Sequence, residues 1–282
     1  MKRALPPILE SSPRMDEDEE YKLHRRFDRM GRLVGDHKMK RLMDAHVLVV
    51  GLGGVGSFAA ESLARSGIGT LTIVDFDAVC ITNFNRQLHA VDGAVGKNKA
   101  DVMAERLRRI NRRAEVRSRP VQYDAEHAEQ LLSPRPDFVV DAIDHVTSKC
   151  HLLATCRDRG IPVVSATGSG GRLDPTQVKV ADLADTTTDP LARAIRGILR
   201  TRYGFPDKGE SFGIPAVYST EVHTDPLDLH YDKGKGFRCV CPQGQNEFFT
   251  CDARNMIYGN ASFVTGTFGL VCASVAVRHL LG

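Results

Sequence analysis

The chain has 282 residues, of which 42% are hydrophobic and 26% are charged, and its formal net charge is +3. This length allows a doubly wound core with additions, and so small a net charge cannot by itself argue for a nucleic-acid partner. The seven cysteines are odd in number and scattered, and no signal peptide pattern precedes them. We therefore expect a reducing, cytoplasmic setting.

The two ends of the chain and one internal stretch stand apart from the rest in composition. Residues 1–20 carry three prolines and an acidic run, which predicts a mobile tail before one domain over residues 21–282. The Gly- and charge-rich stretch 225–246 predicts a mobile crossover loop. The apolar stretch 266–277 is shorter than a membrane span, which favours a buried helix and no transmembrane segment, with peripheral membrane contact as the alternative.

Strand-like and helix-like segments alternate through the first 165 residues. The predicted strands are 47–50, 71–75, 115–118, 138–143 and 162–165. The predicted helices between them are 57–66, 99–111, 126–132 and 147–159. This alternation predicts an α/β fold with a Rossmann-like, doubly wound and mostly parallel sheet. Extended pieces at 177–181 and 216–221, with a helix at 190–203, predict extra antiparallel strands before the C-terminal helix.

A glycine-rich turn follows the first predicted strand in the segment VLVVGLGGVG at residues 47–56. Its glycines let the backbone approach a phosphate, and the helix that follows offers unpaired N–H groups. These glycines are Gly51, Gly53, Gly54 and Gly56. The second strand ends in Asp75 and Asp77, and Asp75 lies 19 residues beyond Gly56, where a ribose-binding acid is expected. The motif alone fits a dinucleotide dehydrogenase as well as an adenylating enzyme.

The connection after the second strand is unusually polar. It contains Asn83, Asn85, Arg86 and Gln87. A loop at the carboxyl end of a parallel strand faces the ligand crevice, where Arg86 could bind phosphate oxygens and its neighbours could add hydrogen bonds. The alternative is a turn rich in hydrogen bonds from side chains to the backbone.

Two further charged positions indicate a site for a triphosphate. Lys97 and Lys99 lie in the first turn of a predicted helix, where positive charge is unfavourable unless an anion is near. Lys99 is therefore a candidate to hold the triphosphate, although both lysines could instead extend into solvent. Asp144 follows the fourth strand and would repel phosphates without a cation between them, which predicts Mg²⁺. Asp141, inside that strand, is expected to make buried hydrogen bonds.

Together these motifs resemble the adenylating superfamily of ThiF and MoeB type, which includes ubiquitin-activating enzymes and bacterial activators of sulfur-carrier proteins. The motifs in family order are RFDRMGRLVG at 26–35, the glycine turn, DFD at 75–77, NFNRQ at 83–87, VGKNKA at 95–100 and DAID at 141–144. The resemblance implies ATP and Mg²⁺ as cofactors. It also implies a homodimer in which Arg29 corresponds to an arginine supplied by the neighbouring subunit. The catalytic residues implied are Arg29, Arg86, Lys99 and Asp144.

Within that superfamily the chain resembles the tRNA threonylcarbamoyladenosine dehydratases. The resemblance rests on NRQLHA at 85–90, the segment GSGGRLDPTQVKVADLADTTTDPLA at 168–192 and FVTGTFGLV at 263–271. It implies that tRNA is the partner and that ATP activates the carboxylate of threonylcarbamoyladenosine as an acyl-adenylate, which a carbamoyl oxygen then closes into a ring. A monovalent cation and a cysteine desulfurase system are further implied candidates. The paired zinc CxxC motifs of the sulfur-carrier activators are absent from the sequence.

Intramolecular attack of this kind needs no enzyme nucleophile, since a neighbouring group can act at an effective molarity of roughly 10⁵ M or more. Cys239 and Cys241 form a C-x-C pair, with Cys251 beyond. A redox or sulfur-relay role competes with the interpretation as free thiols. A metal site would need a fourth ligand that the spacing does not identify.

Two groups of arginines are candidates for contacts with tRNA phosphates. The first occupies a 14-residue span with one acid and comprises Arg106, Arg108, Arg109, Arg112, Arg113, Arg117 and Arg119. The second lies on one face of a predicted helix and comprises Arg193, Arg196 and Arg200. Each group is as compatible with a solvated face as with phosphate binding.

Three other functions compete with tRNA modification. An adenylyltransferase for a sulfur-carrier protein would need a partner ending in Gly-Gly. A dehydrogenase would bind nicotinamide but leaves Lys99 and Asp144 unexplained. A nucleotide-binding scaffold without enzymatic activity would bind ATP and release no pyrophosphate.

Overall fold

The computed structural model describes residues 25–227, 229 and 258–282. The predicted tail at 1–20 lies outside these residues, as do most of the predicted crossover loop at 225–246 and Cys239, Cys241 and Cys251. The described chain begins with a 3₁₀ turn at Arg25–Phe27. Two short helices follow, α1 at Asp28–Val34 and α2 at Asp36–Asp44.

Strands and helices then alternate, as the sequence predicts. The strands are β1 (His46–Val50), β2 (Thr70–Val74), β3 (Glu115–Arg119), β4 (Phe138–Asp141), β5 (Val163–Ala166), β6 (Val178–Asp182) and β7 (Pro215–Ser219). The helices are α3 (Gly56–Arg65), α4 (Lys99–Ile110), α5 (Ala128–Leu131), α6 (Val146–Asp158), α7 (Pro190–Tyr203) and α8 (Ser262–Leu281).

Within the described residues these strands form one sheet in the order β3-β2-β1-β4-β5-β7-β6. All neighbouring strands are parallel except β6 and β7, which pair antiparallel from Val178 opposite Ser219 to Asp182 opposite Pro215. The chain winds outward from β1 to β3 and then restarts on the other side with β4, so the topological switch lies between β1 and β4. The predicted fold, a mostly parallel doubly wound sheet with an antiparallel addition, is confirmed.

The sheet is covered on both faces, and β1 shows why its sequence is continuously apolar. Val47 and Val49 belong to one buried cluster, while Leu48 and Val50 belong to the cluster on the opposite face. A parallel strand buried on both sides has no polar face to present. The core therefore consists of two layers, with the carboxyl edge of the sheet left open between them.

Two predicted elements are shorter in the structure by two residues or more. The fourth strand ends at Asp141 and not at residue 143, because the N–H of Ile143 donates to the carboxylate of Asp141 (3.1 Å) and not to a neighbouring strand. The helix predicted at 126–132 begins only at Ala128, because the carboxylate of Asp124 accepts the N–H groups of residues 126 and 127 in a turn. In both cases a local carboxylate competes with the regular element.

The C-terminal helix differs in length from the prediction. It has 20 residues and extends beyond the predicted stretch at both ends, so at 1.5 Å per residue it is about 30 Å long and could cross a membrane by length and composition alone. The helix nevertheless packs closely in the fold, since a Cβ at Gly269 would lie 2.3 Å from the carbonyl oxygen of Val55 next to α3. Of its 18 most apolar consecutive residues, 56% are buried within the protein, which favours the predicted buried helix. Peripheral membrane contact stays a prediction.

Candidate active site

The predicted glycine turn leaves β1 at the topological switch, where ligands bind in doubly wound sheets. Gly51 has a φ of +89°, and a Cβ there would lie 2.6 Å from the carbonyl oxygen of Ala142, which follows β4. A Cβ at Gly56 would lie only 1.8 Å from the carbonyl oxygen of Gly51. The turn can therefore close against itself and against the end of β4 only with glycine at these two positions.

Arg86 and Gln87 lie against this glycine turn. A Cβ at Gly54 would come within 3.2 Å of Cγ of Arg86, and one at Gly53 would lie 3.9 Å from Nε2 of Gln87. Gln87 is buried, and its Oε1 has no hydrogen-bond partner among the described residues. The polar loop predicted to face the crevice is thus adjacent to the turn predicted to hold phosphate.

The other two predicted residues of that loop organise it. The carboxamide oxygen of the buried Asn83 accepts the N–H of Cys80 (3.0 Å), as in the alternative interpretation of the loop as a turn. Asn85 is exposed; its Oδ1 accepts a hydrogen bond from Nη1 of Arg86 (2.9 Å), and its Nδ2 donates to the carbonyl of Asn260 (2.9 Å). Nη1 of Arg86 also donates to the carbonyl of Thr82 (2.9 Å), so the guanidinium is held at the loop surface.

Asp75 follows β2, beside the glycine turn. Its carboxylate accepts the N–H groups of Leu52 (2.6 Å) and Asp77 (2.9 Å), one on each oxygen. Burial raises the pKa of Asp75 above its ordinary value, against the opposing effect of the Lys99 ammonium. Each carboxylate oxygen can accept a second hydrogen bond, so the predicted ribose contact is compatible with these two bonds.

Lys99 begins α4 and is almost completely buried, with 7% of its side chain exposed. Its Nζ lies 2.8 Å from Oδ2 of Asp77, and its N–H donates to the carbonyl of the same residue (2.9 Å). Burial alone would lower the pKa of Lys99, but the carboxylates that surround it raise that pKa above its ordinary value; they belong to Asp75, Asp77 and Asp144. The anion that a lysine at a helix N-terminus requires is therefore supplied, at least in part, by the protein itself.

Asp144 follows β4 and is exposed, which leaves its carboxylate accessible to a ligand. No group of three or more His, Cys, Asp or Glu side chains converges on a metal position within residues 25–227, 229 and 258–282. A protein cage for a metal ion is therefore not present in that part of the chain. The arrangement fits Mg²⁺, which is commonly held by one or two carboxylates together with substrate phosphates and water.

Arg29 lies far from this crevice. It is exposed on α1, two residues after the buried Phe27, which packs near Gly67 just before β2. Its neighbour Arg26 donates to the carbonyl of Ile110, just before β3. These contacts place α1 at the amino edge of the sheet, whereas the crevice is at the carboxyl edge. The structure thus places Arg86 beside the glycine turn and Lys99 near Asp144, and it separates Arg29 from them.

Sequence reasoning missed two residues that contact the site. A Cβ at Gly54 would lie 3.0 Å from Oγ1 of Thr265 on α8, and Asn260 receives the hydrogen bond from Asn85. Both belong to the last segment of the chain, which periodicity identifies only as an apolar helix. The signal that could have identified them is the polar Asn260 and Thr265 immediately before and within that helix.

Three of the four described cysteines do not offer a nucleophile. Cys80, Cys150, Cys156 and Cys272 are buried and form no disulfide among the described residues. Burial raises the pKa of Cys150 to about 11 and the pKa values of Cys156 and Cys272 to about 12. Since the thiolate is the reactive form, these last three thiols are inert near neutral pH.

Comparison with known proteins gives consistent matches along the chain. The model of the ThiF family matches residues 27–282. The tRNA threonylcarbamoyladenosine dehydratase of Escherichia coli (strain K12) is 41% identical over 257 residues, which cover 91% of this chain and 93% of that protein. The homologous enzyme of Bacillus subtilis (strain 168) is 38% identical and covers 90% of this chain and 94% of its own length.

A solved structure gives the same result. The crystal structure of E. coli tRNA N6-threonylcarbamoyladenosine dehydratase in complex with ATP matches with a TM-score of 0.77 and 40% identity, covering 91% of this chain and 94% of that one. The E. coli molybdopterin-synthase adenylyltransferase is 38% identical, but over only 44% of this chain. Because the family model matches residues 27–282 and the dehydratases align along nine-tenths of the sequence, the chain belongs to the ThiF family and, within it, to the tRNA threonylcarbamoyladenosine dehydratases.

Proposed function

We propose that this protein uses ATP to dehydrate threonylcarbamoyladenosine beside the tRNA anticodon to its cyclic form. The observation that carries the proposal is the cluster of Arg86, Lys99 and Asp144 around the glycine turn, in a chain that is 40% identical to a dehydratase whose crystal structure holds ATP. The molybdopterin-synthase adenylyltransferase of E. coli aligns with only 44% of the chain, so the sulfur-carrier alternative is not favoured.

The residues around the glycine turn have distinct proposed roles in binding ATP and Mg²⁺. Arg86 beside Gly54 and the buried Lys99 would bind the phosphates of ATP, and Asp75 would accept a hydrogen bond from the ribose. The exposed Asp144 would hold Mg²⁺ against the phosphates. When bound, Mg²⁺ neutralises the charge that develops on them. Gly51, Gly53 and Gly56 shape the turn, and Asn83 and Asn85 order the loop beside it. Asp77 holds Lys99, and the buried Gln87 would add a hydrogen bond to the nucleotide.

The proposed chemistry has two steps. A carboxylate oxygen of the threonylcarbamoyl group attacks the α-phosphorus of ATP, and pyrophosphate leaves. The carbamoyl group then loses a proton to water and attacks the activated acyl carbon, and AMP leaves with the former carboxylate oxygen. The ring closes by intramolecular attack, which needs no covalent enzyme nucleophile. The high pKa values of the buried cysteine thiols agree with such a route.

Incubation of the purified protein with ATP and tRNA containing threonylcarbamoyladenosine is the direct test. We expect release of pyrophosphate and AMP that depends on this tRNA, and conversion of the nucleoside to its cyclic form by mass spectrometry. Unmodified tRNA of the same sequence is the control. AMP release that requires a protein ending in Gly-Gly would support the sulfur-carrier adenylyltransferase, and ATP binding without pyrophosphate release would support a scaffold.

The two arginine groups differ in how far protein carboxylates neutralise them. In the first group, Arg106, Arg109 and Arg117 are each paired with a glutamate, and the partners are Glu61, Glu105 and Glu115. In the second group, burial lowers the pKa of Arg196, and the positive charges of Arg200 and Arg193 lower it further. Among the described residues, none of the three arginines on α7 pairs with a carboxylate, and we propose α7 as the face that contacts tRNA phosphates.

Replacing Arg193, Arg196 and Arg200 together by Gln is expected to weaken tRNA binding and to reduce its log–log salt slope by about two to three, since each lost phosphate contact removes about one unit. Binding measured at several salt concentrations checks this. The matched triple replacement by Lys keeps the charges and should keep the slope. The triple Gln variant of Arg106, Arg109 and Arg117, which are paired with glutamates, should change it little. An unchanged slope in the α7 Gln variant would remove this helix from the tRNA site.

Three further partners are proposed: a second copy of the chain, a cysteine desulfurase and a monovalent cation. A homodimer is proposed because Arg29 lies away from the crevice of its own chain. A cysteine desulfurase partner would act through Cys239, Cys241 or Cys251, which lie outside the described residues. A monovalent cation has no assigned ligands here. Since tRNA is the proposed substrate, we expect the protein in the cytoplasm.

A further inference from the structure

A buried ion pair lies beneath the turn that carries Asp144. Nζ of Lys149 on α6 lies 2.7 Å from Oδ2 of Asp141, and the two side chains are 1% and 0% exposed. Oγ of the buried Ser165 donates to the same carboxylate oxygen (2.7 Å). The prediction that Asp141 makes buried hydrogen bonds is confirmed. Lys149 was not singled out in the sequence, and no part of the proposed chemistry uses it.

This pair holds the backbone on both sides of Ile143. Oδ1 of Asp141 accepts the N–H of Ile143 (3.1 Å), and Nζ of Lys149 donates to the carbonyl of Ile143 (2.9 Å). That carbonyl belongs to the peptide group that joins Ile143 to Asp144. One ammonium group therefore fixes the peptide plane from which the Asp144 side chain departs.

The residues on either side of this peptide are also held. The N–H of Ala142 donates to the carbonyl of Val50 (2.9 Å), and the carbonyl of Ala142 packs against Gly51 of the glycine turn. On the other side, His145 caps α6 through the N–H of Ser148 (3.4 Å). The turn from β4 to α6 is thus fixed at each end, and Lys149 fixes the peptide in its middle.

The cost of burial argues that this pair serves geometry more than stability. Two ions removed from water lose hydration that their mutual attraction only partly returns, and well-packed apolar replacements are often as stable. Apolar replacements could not make the two hydrogen bonds that this pair forms with the N–H and the carbonyl of Ile143. The observed contacts therefore indicate that the pair fixes the backbone conformation at Ile143.

We propose that Lys149 is a positioning residue, which orients the peptide between Ile143 and Asp144 so that the Asp144 carboxylate faces the ATP phosphates and Mg²⁺. This inference rests on the proposed function, because it assigns Asp144 to Mg²⁺. It predicts that loss of the Lys149 ammonium raises the Mg²⁺ concentration needed for AMP formation, although no group that contacts ATP is removed. Residues around a metal ligand commonly change metal affinity or activity by about 10- to 100-fold.

The test compares Lys149→Met/Asp141→Asn with the full-length wild-type protein. The double variant leaves no unpaired buried charge, and Asn at position 141 can still accept the N–H of Ile143. We expect the Mg²⁺ concentration for half-maximal AMP formation to rise about tenfold, with most of the rate regained at saturating Mg²⁺. In the nucleotide-free protein, peptides that cover residues 142–145 should exchange amide hydrogens faster, while the strands of the sheet keep their protection.

Arg159→Met is the matched control, because it removes a cation that pairs with Glu129 just beyond the other end of α6. It should leave the Mg²⁺ dependence and the exchange of residues 142–145 unchanged. A folded double variant with wild-type values for both quantities would overturn the proposal. If the double variant does not fold, Lys149→Arg is tested instead. Its wider head group displaces the Ile143 carbonyl and should also raise the Mg²⁺ concentration for half-maximal AMP formation. An unchanged Mg²⁺ dependence of this variant overturns the proposal.

The wild type and Asp144→Asn separate this inference from the proposed function. If the wild type forms no AMP with modified tRNA, or if Asp144→Asn keeps the wild-type rate, the proposed function or its metal residue is wrong. If both behave as proposed and the Lys149 variants match the wild type, only the role of Lys149 is wrong.

Discussion

AMP formation is expected to fall by about 100-fold or more when Asp144 is replaced by Asn or when Arg86 is replaced by Ala. The site acts through charges placed in advance around the phosphates, and the loss of one such group typically costs this much in rate. Asp144 is exposed at the crevice and Arg86 lies on the loop surface beside Gly54, so neither replacement opens a cavity in the core. We therefore expect both variants to unfold at nearly the wild-type urea concentration.

Two replacements at sites away from the crevice provide the controls. Asp158→Asn removes a carboxylate at the opposite end of α6, where Asp158 pairs with Arg157, and Arg65→Ala removes an exposed arginine that pairs with Glu61. Both should form AMP at nearly the wild-type rate in the same pyrophosphate-release assay. Near-normal turnover by purified Asp144→Asn or Arg86→Ala would contradict the assignment of that residue.

The sheet and the place of the crevice could be predicted because they depend on local patterns. Each core strand is a short apolar run. Because a parallel strand buried on both faces is apolar throughout, such a run predicts the strand without knowledge of the neighbouring strands. The glycine turn could also be predicted from the sequence. Only glycine fits at Gly51 and Gly56, where a Cβ would overlap a carbonyl oxygen, so the turn requires a glycine-rich pattern. The carboxyl edge of the sheet then follows from the order of strands and turns.

The partners of the charged side chains could not be predicted in the same way. Lys99 is paired with Asp77, which is 22 residues away, and Asn83 holds the backbone of its own loop. The first arginine group is partly neutralised by Glu61, which is 45 residues before Arg106. Such pairings depend on how helices pack on the sheet, and the hydrophobic period does not encode which polar side chains meet. For the same reason the sequence does not show that Lys149, in the polar first turn of α6, contacts the carbonyl of Ile143.

The position of Arg29 bears on how the site is completed. The strands that separate the amino edge of the sheet from the crevice have about five residues, as in β2, and span about 16 Å at 3.3 Å per residue. Arg29 lies on α1 at the amino edge, next to Phe27 and Arg26, which contact residues just before β2 and β3. An arginine side chain does not cross that distance. If Arg29 acts on ATP, it acts on the crevice of a second copy of this chain.

Mixing two inactive variants should therefore restore activity. Arg29→Ala lacks the arginine that would be supplied to a partner, and Asp144→Asn lacks the carboxylate of its own crevice. In a mixed dimer, the crevice of the Arg29→Ala subunit keeps its own Asp144 and receives Arg29 from its partner. Random exchange of equal amounts makes half of the dimers mixed, with one complete site in each, so about a quarter of the wild-type rate should return.

Arg32→Ala is the matched control for this experiment, because Arg32 lies on the same short helix and pairs with Asp28 within it. Alone, it should keep the wild-type rate of AMP formation. Exchange of subunits is followed independently by native mass spectrometry of the mixed dimers. If exchange is complete and no AMP forms, a trans-acting Arg29 is excluded, because a crevice that has Asp144 and a partner's Arg29 would then still be inactive. If activity returns in proportion to the mixed dimer, the crevice is shared between two chains.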